Sequence, residues 1–126
     1  MGRLRINSAP KIKQVYWCEF PPQGGRIDPE FFDPHPVIIL SRRRTLWGVV
    51  TVVPVTTRPQ NDSEKNYWVE IQAPFKDEPA WVLCNHITTV STKRLRVDRK
   101  GIKTIPENSF QEIVQKVLKN LPWVRE

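Results

Sequence analysis

Hydrophobic residues gather along this chain in short runs separated by proline, glycine and charge. The two strongest are Val37–Leu40 and Val49–Val53, four and five residues long with almost no polar alternation. Runs of this kind predict strands buried on both faces. Weaker patterns predict the rest of a β-rich body. Gln14–Phe20 alternates, with Val15, Trp17 and Glu19 on one side and Tyr16, Cys18 and Phe20 on the other. Tyr67–Ile71 and Trp81–Cys84 read as further strands, Asn85–Val90 is strand-like, and Arg96–Ile105 has room for one more. Ser91 is placed to cap a short helical turn running to Leu95.

One helix is expected. Phe110, Ile113, Val114, Val117, Leu118 and Leu121 recur at helical spacing, Pro106 suits the first helical position, and Pro122 stops the run. Residues 21–36 form a long loop rich in proline and glycine, and a loop of that length in a compact domain is more often functional than idle. Residues 1–13 read as a loose basic arm. Five to seven short strands and a terminal helix imply a small, twisted, partly closed barrel with the helix packed on it.

The totals narrow the class. At 126 residues the chain is expected to be one domain, long enough to bury roughly two-thirds of its unfolded surface. A net charge of +7 suits a polyanionic partner such as RNA, DNA or an acidic protein segment. Cys18 and Cys84 are the two cysteines, with no CxxC spacing, and read as free thiols of a reducing compartment. No apolar run approaches the ~20 residues that span a bilayer, and the N-terminus lacks the apolar stretch of a signal peptide. A cytoplasmic protein without a membrane contact is expected.

Candidate chemistry sits at the strand edges: His35 before the first buried run, Thr56 and Thr57 after the second. The chain has two histidines, His35 and His86. An imidazole serves as acid or base near neutral pH, and an acid, a base and positive charge or donors at phosphoryl oxygens suit chemistry on a polyanionic partner. His35 and His86 as an acid–base pair, with Thr56 steadying the phosphate, form the sharp hypothesis. The plainer alternative leaves them as a loop residue and a strand-end residue. Arg58, next to Thr57, is the candidate phosphate clamp. Arg42, Arg43 and Arg44 form a basic loop suited to nonspecific phosphate contact, and Trp47 beside them suits base stacking or a dimer contact. No nucleotide-binding glycine motif, zinc-ligand spacing or nucleophile elbow is present, so no cofactor or metal is expected.

Several segments together resemble the MazF/PemK toxin family: Val15–Pro21, Pro36–Ser41, Val53–Thr57, and Trp81–His86 followed by Thr88–Val90 and Lys93–Leu95. The resemblance covers about residues 14 to 121. It implies a MazF/PemK/CcdB-like, SH3-like barrel, a homodimer, metal-independent cleavage of single-stranded RNA, and an acidic antitoxin that plugs the RNA groove. Thr56 matches the family's catalytic threonine. The chain departs from the family at His35, which precedes Pro36 where an arginine is usual, and at Leu83 and Asn85, where PemK relatives carry arginine and aspartate around the cysteine. Asn85 is retained as a candidate RNA contact. Two rival readings follow: a non-catalytic member of the fold, binding RNA or a protein such as gyrase or acting as a degenerate regulator, and an unrelated SH3-like RNA- or peptide-binding domain.

Overall fold

The computed structural model describes residues 3–21 and 33–122. Its elements run β1 (Gln14–Glu19), β2 (Pro34–Ile39), β3 (Val49–Thr56), β4 (Trp68–Gln72), β5 (Pro79–Leu83), β6 (Thr88–Ser91), β7 (Leu95–Arg96), β8 (Lys103–Thr104) and α1 (Glu107–Lys119). The strands form an antiparallel sheet in the order β4-β5-β3-β2-β1-β7, with β6 also on β3 and β8 also on β1. The mainly β class with a C-terminal helix is therefore observed. The sheet is twisted and barrel-like but stays open.

β3 organises the sheet. One edge pairs with β2 through Val52–Pro54, and the other pairs first with β6 through Val49–Val52 and then with β5 through Val55 and Thr56. Pro54 falls at the hand-over between β6 and β5, where no ladder bond is asked of its nitrogen. This explains a proline inside a central strand.

The unalternated runs are buried on both faces through Val37–Ile39 and Val50–Val53, but Val49, at the start of the second run, is 62% exposed. Val15, Ile38, Val53, Val55 and Val82 join one core beneath the helix, while Tyr16, Val37, Ile39, Val50 and Val52 join a second on the opposite face. Ile6, only 4% exposed, belongs to the second core, and Arg5 bridges to Arg96. The expected loose arm is thus packed where the chain is described, because an apolar residue within it finds a place in the core.

Ser91 caps a single 3-10 turn at Thr92–Arg94 by accepting the Lys93 N–H, as its position predicts. Most of the long loop, residues 22–32, lies outside the described residues. Its flanks meet through the Asp33 N–H, which donates to the Pro21 carbonyl at 2.9 Å. Pro34–Pro36, read as the end of that loop, already belongs to β2, so His35 lies within a strand rather than before one.

Helix α1 starts one residue later than Pro106, which acts as its N-cap. Phe110, Ile113 and Val117 are buried, yet Leu118 is 59% and Leu121 41% exposed. The apolar stripe is wider than the sheet covers. Between it and Ile12, Leu40 and Ile87 lies an open groove of about 640 Å³.

Candidate functional site

The antiparallel pairing of β2 and β3 brings the start of one strand beside the end of the other. His35 near the start of β2 and Thr56 at the end of β3 therefore share one depression of about 180 Å³. That is below the ~300–1,000 Å³ of sites for whole drug-sized ligands, so it suits one unit of a longer molecule. His35 is half-buried, with Nδ1 3.4 Å from the Val55 carbonyl oxygen and its ring set edge-on to Phe20 at 6.4 Å between centroids. The Thr56 hydroxyl oxygen accepts the Arg58 N–H at 3.1 Å, which turns the chain at the rim and leaves its own proton to be donated. Thr57 lines the same depression.

The wall opposite comes from a distant part of the chain. The hairpin turn between β4 and β5 contributes Phe75 and Lys76. Phe75 stacks on Trp17 of β1 at 5.8 Å, and the Arg96 guanidinium lies over the Trp17 ring at 5.2 Å from its centroid. The Trp17 indole N–H donates to Asp98 at 2.7 Å, and Lys100 Nζ donates to the Phe75 carbonyl at 3.1 Å. The indole, and then the Lys100 backbone N–H, hold the Asp98 carboxyl below its usual range, so it stays charged and keeps Trp17 in place. The result is a braced aromatic wall with a cation, Lys76, at its edge. Nothing in the sequence pattern near Phe75 signals this wall, because it forms only when the hairpin folds back over β1.

The other expected residues lie elsewhere. His86 and Asn85 follow β5 in a second depression, of about 210 Å³, shared with Gln60, Glu64, Tyr67, Trp68 and Leu83. It has no residue in common with the first, so the structure does not bring His35 and His86 together as an acid–base pair. Burial pushes the His86 pKa down, favouring the neutral ring. Arg42, Arg43, Arg44 and Trp47 occupy the connection from β2 to β3, at the opposite end of both strands from His35 and Thr56. Arg44 donates to the Ala9 carbonyl at 3.2 Å, and Arg42 borders the groove beside α1. Of the expected arginine contacts, Arg58 alone follows directly on Thr57 at the rim of the His35–Thr56 depression.

Both cysteines are free and buried, and burial raises the thiol pKa to about 12 for Cys18 and about 11 for Cys84. Neither is a reactive thiolate. Among the described residues no group of three or more His, Cys, Asp or Glu is placed to hold a metal ion. Among the same residues no helix is long and apolar enough to cross a membrane.

A family model described as a PemK-like, MazF-like toxin of type II toxin–antitoxin systems matches residues 11–121. No match was found among curated protein sequences. In fold, the chain is similar to MazF from Deinococcus radiodurans, at a TM-score of 0.68 and 17% identity over 90% of this chain and 96% of that one. It is also similar to a mycobacterial endoribonuclease in complex with its cognate antitoxin, at 0.62 and 24% over 92% and 100%. The Mycobacterium tuberculosis toxin MazF-mt6 matches at 0.59 and 20% over 86% and 98%.

Proposed function

The chain belongs to the PemK-like, MazF-like toxins of type II toxin–antitoxin systems, and on that premise we propose that it cuts single-stranded RNA at the His35–Thr56 depression without a metal ion. The observation that carries this reading is the shared depression, where an imidazole, two threonine hydroxyls and Lys76 line one space against an aromatic wall. With Nδ1–H donating to the Val55 carbonyl, His35 keeps a lone pair on Nε2. Nε2 takes the proton of a ribose 2′-hydroxyl, whose oxygen attacks the adjacent phosphorus. The P–O5′ bond breaks, leaving a 2′,3′-cyclic phosphate on one fragment and a 5′-hydroxyl, protonated by water, on the other. Thr56 donates its hydroxyl proton to a non-bridging phosphoryl oxygen, and Arg58 and Lys76 supply positive charge around the developing dianion.

The relatives supply partners for the same reading. A similar mycobacterial endoribonuclease is seen with its cognate antitoxin, and an acidic antitoxin segment would compete with RNA for a chain of charge +7. A homodimer is the proposed assembly, with the uncovered face of α1 (Val114, Leu118, Leu121) against its copy. Sedimentation showing only monomer at tens of micromolar would remove the dimer and leave the chemistry standing.

The test of the chemistry is cleavage of a long unstructured RNA in excess chelator between pH 5 and 8. His35→Ala is expected to lose about 10²–10⁴-fold in rate, the usual worth of a general base. Thr56→Val is expected to lose activity while staying folded. Cutting that survives His35→Ala undiminished would sink the assignment, and no cutting by the wild type at any pH would favour the non-catalytic binder.

A further inference from the structure

The end of the sheet remote from His35 carries an arrangement that cleavage does not use. Trp47 is 64% exposed, and it lines none of the depressions described above. Val49, two residues on, is 62% exposed beside it, so the two form an exposed apolar pair.

Its backbone is held on both sides. Thr92, a buried polar residue with 1% exposure, donates its hydroxyl to the Leu46 carbonyl at 2.8 Å and accepts the Gly48 N–H at 3.2 Å. The Thr92 N–H returns a bond to the Gly48 carbonyl at 2.8 Å. Thr45 Oγ1 donates to the Trp47 carbonyl at 3.0 Å. At Gly48 a Cβ would sit 3.1 Å from that same Thr45 oxygen, so the close turn favours glycine. An exposed ring on a loop fastened this firmly is preorganised for contact.

The chemistry around the ring points to one kind of partner. Lys93, which directly follows the clamping threonine, places Nζ 6.0 Å from the Trp47 ring centroid. Arg42 and Arg43 are exposed on the same loop. Residues 41–52 and 88–97, which hold the Trp47 loop, the start of β3, β6 and the Thr92 turn, contain no aspartate or glutamate. A flat ring among cations suits a base stacked on the indole and phosphates beside it.

We propose that Trp47, with Lys93 and the neighbouring Arg43, forms a second contact for single-stranded RNA, a stacking platform at the far end of the sheet from the cleavage depression. The proposal rests on the RNA reading above. Nine residue steps through the turn and β3 lead from Trp47 to Thr56, at most roughly 30 Å at 3.3 Å per residue. RNA held at both places would be several nucleotides long, within the site sizes of about 4–16 nucleotides known for such surfaces.

The test is fluorescence anisotropy with an end-labelled, unstructured 16-nucleotide RNA at several salt concentrations, using His35→Ala protein so that the RNA is not cut. In that background Trp47→Ala is expected to weaken binding about 5- to 150-fold, the loss of one aromatic–base stack. Trp47→Phe should recover most of it. Lys93→Gln should lower the slope of log affinity against log salt by about 0.7. If the parent protein binds the RNA and Trp47→Ala binds it equally well, the platform is refuted and the RNA reading survives. If the parent binds no RNA, both fall. If Trp47→Ala leaves RNA affinity intact but weakens an acidic antitoxin peptide or dissociates a dimer, the ring serves a protein contact and the proposal is overturned.

Discussion

The two ends of the central strands β2 and β3 use similar residue types in opposite ways. At one end an imidazole, hydroxyls and a lysine line a depression walled by stacked Trp17 and Phe75. At the other an exposed Trp47 stands among cations on a pinned turn. The first aromatic pair is structural, because Phe75 is buried in the core and brings its neighbours to the site. The second ring is half out of the protein. Concavity serves chemistry, since it fixes groups around one reacting unit. A convex ring serves affinity, because a base can lie on it without being enclosed.

Unfolding separates these roles most sharply. Phe75→Ala removes a core aromatic and the partner of Trp17, and should cost about 3–5 kcal/mol. Trp47→Ala should fall within about 0.5 kcal/mol of wild type, as exposed substitutions do. Urea unfolding of the two variants side by side measures both. Similar losses would mean that the two ends are built alike.

A smaller effect tests whether the platform is truly fastened. Thr92→Val keeps the shape but leaves the Leu46 carbonyl and the Gly48 N–H without their side-chain partner. The expected cost is about 1–3 kcal/mol, read as a lower melting temperature, with RNA affinity falling alongside. A variant as stable as wild type would show that the turn holds itself, and preorganisation by Thr92 would be lost.

How much of this was legible depends on which forces are local. The unalternated runs Val37–Ile39 and Val50–Val53 announce strands with two buried faces, and Ser91 announces its cap, because each follows from neighbours in sequence. The helix stripe is equally plain, but how much of it remains uncovered depends on the width of the sheet. His35 and Thr56 could be paired in advance, since antiparallel neighbours put the start of one strand beside the end of the next. The same rule sends Arg42–Arg44 to the far end, although proximity in sequence suggests one basic groove. Sequence proximity to strand ends does not tell that His86 lines a different depression from His35, because the turn after β5 carries it there. The Trp17–Phe75 wall and Lys76 were illegible, being assembled across some sixty residues by the fold alone.

The least effect expected is one of pH, and it too divides the molecule. Burial lowers the His86 pKa in the folded state below its value near 6.5 in the unfolded chain. The unfolded chain then binds more protons in the interval between the two values. Stability contributed by the neutral ring is complete above about pH 6.5 and erodes as pH falls toward the folded value. Because His86 is only half-buried, the slope should be a fraction of the ~1.4 kcal/mol per pH unit that one proton can supply. His86→Gln cannot take up that proton, so between pH 7.5 and 5 it should lose less stability than wild type. Trp47→Ala should follow wild type, since it leaves His86 and its surroundings unchanged. Urea midpoints across the range decide it. Parallel curves for wild type and His86→Gln would mean that the second depression leaves its histidine as free to protonate as the unfolded chain does.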